Sequence, residues 1–212
     1  MLEELFNLVK EQSGDPVVNN PAIPNELNND VVAEATNTVA GGLRNMVAGG
    51  GLQNIISLFT GGGDNQSSGV KGLLSNPIVN MMIGHFAGKL ISKYNIGGSQ
   101  ANNIAANLIP SVISTLINKS NDSSNSGFSL ENLLNSITGG QSTQVVQQQQ
   151  QASGNSGFNF QDLISQFTGA GGGQQGGGSL MDIVSQLAGG AQDQQAKNGS
   201  GGLMDLIKGF IK

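Results

Sequence analysis

Apolar residues in the first fifty positions recur at the spacing of one helix face. The first helix is predicted from an i, i+3, i+4, i+7 set formed by Leu2, Leu5, Phe6 and Val9. It should end near Ser13 and Gly14, because the next segment, GDPVVNNPAIPNEL, has three prolines that lack backbone donors and favour an extended loop. A second helix should begin near Glu26 and Asp30, which suit the positive end of its dipole, and should stop at the glycines of AGGG. Its predicted stripe is Val31, Val32, Ala35, Val39, Leu43, Met46 and Val47.

The segment from residue 75 to residue 119 predicts a helical hairpin. Asn76 is suited to cap its first helix and Pro77 to open it, and the apolar stripe then comprises Ile78, Met82, Ile83, Phe86, Leu90, Ile91 and Tyr94. The turn is predicted at NIGGS, with Ser99 capping a second helix that carries Ile104, Leu108 and Ile109. Pro110 should either kink this helix or open a third one on Val112, Ile113, Leu116 and Ile117.

One short phrase, FSLENLLNSITGG at residues 128–140, has three near-copies downstream. Apolar residues occupy relative positions 1, 4, 5 and 8 of each copy, as on one face of a short helix. The four copies make sixteen candidate docking positions: Leu130, Leu133, Leu134, Ile137; Phe160, Leu163, Ile164, Phe167; Leu180, Ile183, Val184, Leu187; and Leu203, Leu206, Ile207, Phe210. An earlier copy has Leu52, Ile55, Ile56 and Phe59 at the same positions.

Each copy also carries its own start and stop signals. Position 3 is always a short acceptor or an acid, at Asn54, Asn132, Asp162, Asp182 and Asp205, where the free donors of a first helical turn point. Ser129, Asn159 and Ser179 stand three residues earlier as caps, and Gly61, Gly139, Gly169 and Gly189 stand where a helix would close. Such short helices are marginal in water alone, so each needs a docking partner.

Glycine- and glutamine-rich spacers separate the copies. The tail copies begin 30, 20 and 23 residues apart, an irregular period that argues against a solenoid. The spacer compositions are typical of flexible coils, and residues 141–156 and 170–178 are predicted to lack regular structure, whereas the copies should be helical when docked. The Gln run at residues 147–151 is either an inert spacer or a self-associating polar tract.

Together these patterns predict an all-α fold in two parts. Residues 1–121 should form a small multi-helix domain, and residues 122–212 a low-complexity tail with three or four short amphipathic helices. With 33 glycines and 37% hydrophobic residues among 212, the chain can build one modest core.

Charge and composition limit the classes of partner. The net charge is −5 and the nine basic residues are scattered singly, which argues against a nucleic-acid partner. No stretch has the ~20 apolar residues of a membrane span. The opening MLEELFNLVKEQ is acidic where an export signal needs basic residues, so a cytoplasmic location is expected.

Candidate chemistry is sparse. Cysteine is absent, and the lone His85 sits in an apolar helix without acidic neighbours, which favours a structural or surface role over a ligand or a general base. GGGDNQSSGVKGLL lacks the spacing of a phosphate-binding loop and is interpreted as a linker. The NIGGS turn is interpreted as helix packing, since the helix after it has no basic residues for DNA. The methionines, Met46, Met81, Met82, Met181 and Met204, suit adaptable core or docking positions. No catalytic, cofactor or metal site is predicted, and the chain is not expected to be an enzyme.

The segment FAGKLISKYNIGGSQANNIAANLIPSVISTLINK, with the opening NLVKEQSGDPVVNNPAIPNE, resembles the YidB-like family of bacterial proteins of unknown function. The resemblance covers about the first 120 residues, and MVAGGGLQNIISLFTGGGDNQ is similar to the bacteroidete-type members. It implies an all-helical fold and brings no substrate, cofactor or catalytic residue.

The function expected from these patterns is a noncatalytic interaction or assembly protein whose short helices dock onto a protein partner, onto the domain or onto another copy of the chain. The alternative is a membrane-surface or envelope-associated protein that uses the same helices, although their polar faces are acidic rather than basic. An enzyme of unrecognised type is a distant third.

Overall fold

The structure is a computed structural model, and it describes residues 2–49, 51–60, 70–121, 129–140, 184–194 and 196. All regular secondary structure in these residues is helical, which confirms the all-α fold class. In chain order the elements are α1 (Leu2–Gln12), a π-helical turn (Gly14–Val18), a 3-10 turn (Asn25–Leu27), α2 (Asn28–Ala48), α3 (Leu52–Thr60), α4 (Val70–Leu74), α5 (Pro77–Tyr94), α6 (Gly98–Asn121) and α7 (Leu130–Ile137). Residues 184–194 are also α-helical and are called α8 here.

Helix α2 lies at the centre of the fold. Every residue from position 31 to position 40 is buried, because α1, α3, α5, α6 and α7 all pack against this helix. The predicted stripe residues Val31, Val32, Ala35 and Val39 are buried, but so are the positions between them, so the first half of α2 has no face in water. Thr36 and Thr38 satisfy their buried hydroxyls by donating to the carbonyls of Val32 and Glu34 one turn earlier.

A buried carboxylate on α2 is neutralised from α5. The Glu34 side chain is 3% exposed, and its Oε2 accepts a hydrogen bond from Lys93 Nζ at 2.8 Å. The neighbouring Tyr94 donates its hydroxyl to the carbonyl of Asp30 at 3.0 Å, and its ring lies 5.3 Å from the Lys93 ammonium. Burial lowers the pKa of Lys93, but the hydrogen bond and the charge of Glu34 together outweigh it, so this pKa lies above its usual value. These groups fix the C-terminal end of α5 to α2.

Helix α1 follows its prediction, and the proline-rich segment after it does not. Leu5, Phe6 and Val9 are buried and the helix ends at Gln12. Instead of an extended loop, the chain makes a π-helical turn in which the N–H groups of Val17 and Val18 both donate to the Ser13 carbonyl. A helical turn tolerates a proline in its first residues, because those backbone donors have no partner inside the turn.

The α5–α6 hairpin begins as predicted at Asn76. The Asn76 Oδ1 accepts from the N–H groups of Ile78 at 2.9 Å and Val79 at 3.4 Å. Most of the predicted stripe faces the core, but Ile91 lies at its edge and is 44% exposed.

The turn between α5 and α6 is shorter than predicted. Asn95 adopts the left-handed conformation with φ 54°, and the N–H of Ile96 donates to the Leu90 carbonyl at 3.1 Å. Helix α6 then starts at Gly98, which places Ser99 inside the first turn, so the predicted cap at Ser99 was wrong. The helix can begin earlier because the Gly97 carbonyl already accepts the Ala101 N–H.

Helix α6 is one continuous helix through Pro110, so it is not followed by a separate third helix. Pro110 is buried in the helix interior and cannot donate to the carbonyl of Ala106. One residue further along, the Ser111 hydroxyl donates to the Asn107 carbonyl at 2.7 Å. Burial of the flanking Ile109, Val112 and Ile113 offsets the lost backbone hydrogen bond.

The segment interpreted as a linker contains a helix. Residues 70–74 form α4, which packs against α5 and α6 and buries Leu73. The linker interpretation was therefore wrong for this part, while residues 61–69 lie outside the described part of the chain. A five-residue helix depends on its tertiary contacts, which the local sequence does not reveal.

Replacing Lys93 by Met should lower the free energy of unfolding by about 1–3 kcal/mol, because Glu34 would stay buried without its counter-charge. This expected loss of stability is smaller than that for breaking a fully buried ion pair, because the Lys93 side chain is 44% exposed. Urea unfolding at neutral pH measures it, with Lys10→Met as an exposed control. The folded pKa of Lys93 is raised, so the stabilisation is present below its usual 10.5 and is lost as pH rises above that value. A Lys93→Met variant with the same free energy of unfolding as the wild type at pH 7 would contradict the stabilising role of the Glu34–Lys93 ion pair.

Gly41 and Gly42 form a matched pair of test positions in α2. A Cβ at Gly41 would meet nothing within 4 Å, whereas one at Gly42 would lie 2.6 Å from Cε and 2.8 Å from Cγ of Met82. Gly41→Ala should stabilise the chain by about 0.5–1 kcal/mol through helix propensity. Gly42→Ala should be less stable than Gly41→Ala by about 1–3 kcal/mol, because Met82 must move in the core. Thermal unfolding of both variants checks this, and equal stabilities would contradict the close approach of α2 and α5.

Candidate docking site of the tail helices

Helix α7 is the first tail copy, and its own sequence sets both of its ends. The Ser129 Oγ accepts the N–H of Asn132 at 3.1 Å, which confirms the predicted cap. At the other end Gly139 has φ +67°, and the N–H of Gly140 donates to the Asn135 carbonyl at 2.8 Å. The cap and the closing glycine predicted for this copy are both present.

The apolar positions of α7 point into the core of the same chain. Leu133, Leu134 and Ile137, at relative positions 4, 5 and 8, are buried and belong to the same core cluster as α2 and α5. The earlier copy in α3 buries the same three relative positions, Ile55, Ile56 and Phe59. The described residues include the backbone of Leu130 but not its side chain.

Helix α8 continues further than its copy of the phrase predicts. Leu187, at relative position 8, is buried, and Val184 at position 5 is half-buried. The helix runs through Gly189 to residue 194, so the prediction that Gly189 closes it was wrong, and residues 189–194 of the glycine- and glutamine-rich spacer are helical rather than a flexible coil. Alanine and glutamine after the glycines favour helix, and the buried Ala191 adds a contact that the phrase lacks.

The ends of α7 and α8 meet beside the C-terminal end of α2. Helix α7 packs against α2, and Gln192 of α8 donates its side-chain amide to the Ala48 carbonyl at 2.9 Å. A side chain at Gly139 would overlap that of Gln194, so glycine also permits the close approach of these two segments. We call the side of α2 that carries Arg44 and Ala48 the tail-docking face.

The other candidate docking positions lie outside the described residues. These positions are Phe160, Leu163, Ile164, Phe167, Leu180, Ile183, Leu203, Leu206, Ile207 and Phe210. The same holds for the caps predicted at Asn159 and Ser179, for Gly61 and Gly169, and for the irregular stretches predicted at residues 141–156 and 170–178.

Arg44 on the tail-docking face was missed by the sequence reasoning. It is the only arginine in the sequence, and it is 6% exposed. Its Nε is enclosed and has no hydrogen-bond partner, and no carboxylate among the described residues forms an ion pair with it. Burial lowers the pKa of Arg44, because an apolar surrounding disfavours the charged form. In the sequence, a basic residue beside an apolar stripe looks the same whether its side chain is buried or solvated, so the burial of Arg44 could not be predicted.

The remaining candidates for chemistry are dispersed. His85 and Met81 are exposed on α5, Met82 packs against α2, and Met46 is half-buried. Within the described ranges, no three side chains of His, Asp or Glu are grouped so that they could hold a metal ion. None of the helices in the described part of the chain has both the length and the apolar character needed to cross a membrane.

The comparisons with known proteins found no match. No protein-family model and no curated protein matches the sequence, and no solved structure matches the fold.

Replacing Leu134 by Ser should undock α7 without unfolding the rest of the chain. Loss of one buried leucine costs about 1.5–3 kcal/mol, so amide hydrogen exchange in residues 130–137 should accelerate about ten- to a hundredfold. Exchange in α5, which packs on α2, α4 and α6, should be unchanged. Ser136→Ala is the matched control, since Ser136 is exposed on the same helix. Uniform acceleration across α5 and α7 would instead mean that α7 is part of one cooperative core.

Proposed function

We propose that this protein is a noncatalytic interaction or assembly protein whose repeated short helices act as docking elements. The observation that carries the proposal is the common burial of the repeated phrase. Relative positions 4, 5 and 8 are buried in both α3 and α7, and position 8 is buried in α8. A phrase that is written five times, and whose position 8 is buried in each of the three described copies, suits a unit of recognition.

The energetics favour weak single contacts and stronger multiple ones. Each copy can bury up to four large side chains at ~1.5–3 kcal/mol each, from which the ordering of the helix and of its spacer must be subtracted. One copy should therefore bind weakly, while several copies on one chain gain through effective concentration. Contacts of this size can exchange between the tail's own domain and another chain.

Self-association is the simplest form of this activity. A tail helix that fits a face of its own domain can fit the same face of a second copy, because the two faces are identical. The resemblance to the YidB-like family is compatible with this proposal and assigns no competing activity.

Replacing Leu163, Ile164 and Phe167 together by Ser should weaken self-association or partner capture about as much as replacing Ile183, Val184 and Leu187. Removing both sets should weaken it disproportionately, because the copies act through effective concentration. Sedimentation velocity over a range of protein concentrations measures self-association, and affinity purification from the native cell measures partner capture.

The matched control replaces the Gln run, residues 147–151, with a Gly/Ser spacer of equal length. It should change little, because the run serves only as a spacer in this proposal. Loss of assembly in this control would mean that glutamine amide pairing, rather than helix docking, drives assembly. A wild-type chain that stays monomeric at high concentration and captures no partner would overturn the proposed function.

A further inference from the structure

Helix α5 carries two adjacent methionines in opposite environments. The chain has six methionines and no cysteine, so the thioether is its only sulfur group. Consecutive residues of an α-helix point about 100° apart, and in α5 this turns Met81 toward solvent and Met82 toward α2. Met81 is 68% exposed, whereas Met82 is 3% exposed. One sulfur is therefore open to reagents in solution, and its neighbour is not.

The solvent side of α5 around Met81 is open. Among the described residues, Met81 is the most exposed of the large apolar side chains. Gly84 and Gly88 lie three and seven residues further along the helix, on the same side, and a Cβ at either position would meet nothing within 4 Å. The described chain therefore leaves the Met81 thioether accessible from that side.

The neighbouring Met82 is closed off by α2. Its side chain fills the space over Gly42, where an added Cβ would lie 2.6 Å from the Met82 Cε and 3.1 Å from its Sδ. An oxygen added to this sulfur would place a polar group in a tightly packed apolar contact. Met82 should therefore be oxidised only in molecules that have opened.

Exposed methionine thioethers react with hydroperoxides. We propose that Met81 is a site of reversible oxidation by hydroperoxides in the folded protein. A sulfur lone pair attacks the terminal peroxide oxygen, and an S–O bond forms as the O–O bond breaks. The other oxygen takes the proton of the attacked oxygen and leaves as water or as an alcohol, so the sulfur loses two electrons and the peroxide gains them. A thiol-dependent sulfoxide reductase reverses the step, because two thiols form a disulfide and the sulfoxide oxygen leaves as water.

Oxidation of Met81 changes the surface of the protein and keeps its fold. A sulfoxide at this position stands in solvent, where water hydrates its oxygen, so the packing of α5 on α2, α4 and α6 is retained. The middle of the solvent side of α5 becomes polar, because Met81 is the only large apolar side chain exposed between Leu74 and Ile91. The inference does not depend on the proposed docking role of the repeated phrase, since α5 is not one of its copies.

Treatment of the folded full-length chain with excess hydrogen peroxide tests the selectivity. The tryptic peptide of residues 72–89 contains both methionines, and tandem mass spectrometry distinguishes them. In the folded chain Met82 should be oxidised roughly tenfold or more slowly than Met81, whose rate should be within about threefold of its rate in urea. In urea the two rates should be equal, so each residue is the control for the other. Equal rates in the folded chain would overturn the proposal.

The stability and the reversal of the product provide a second test, with Met81→Leu as the matched control that cannot form this sulfoxide. After the same peroxide treatment, the wild type and Met81→Leu should unfold at the same urea concentration. The two types of methionine sulfoxide reductase, one for each sulfoxide epimer, should restore Met81 in the folded chain when dithiothreitol is supplied. A Met81 sulfoxide that raises the unfolding constant roughly tenfold or more, or that is reduced only after unfolding, would overturn the proposal.

Discussion

Helix α2 has no side in water between positions 31 and 40, and the other helices are arranged around that constraint. A helix that is surrounded in this way needs small side chains, and residues such as Ala33, Ala35 and Ala40 allow the neighbouring helices to pack closely against it. Any charge on it must be neutralised by another element, which is the role of Lys93 toward Glu34. The position of α5 is thus determined by an ionic contact at one end of α2 and by the packing of Met82 against Gly42 further along.

The burial of α2 also connects the tail to the domain. The C-terminal half of α2 keeps Leu43, Arg44 and Val47 buried, and α7 and α8 meet beside this half. Leu133, Leu134, Ile137 and Leu187 belong to one core cluster with the residues of α1, α2, α5 and α6. In the described residues the first and third tail copies contact the central helix, α7 by packing and α8 through the hydrogen bond from Gln192.

Local sequence predicted the features of the fold that depend on local physics. Asn76 and Ser129 cap helices because a side-chain oxygen can reach a backbone donor two or three residues away, and Gly139 closes α7 because it tolerates a positive φ. Features that depend on neighbouring helices were missed. Pro110 stays inside α6, and α8 runs through Gly189, because burial of adjacent residues outweighs the local cost. The candidate docking positions followed from periodicity, whereas Arg44 and Gln192 could not be found this way, because their importance comes from a surface formed by residues distant in sequence.

The ends of α7 have a consequence for how such a chain can change over time. All the information that starts and stops this helix lies between Ser129 and Gly140, within a dozen residues. A duplication of this phrase, or a change in the length of a spacer, leaves those residues intact, so it alters the number and the spacing of the phrases without altering where α7 begins and ends. Repeat number and reach are therefore heritable properties that can drift independently of the core around α2.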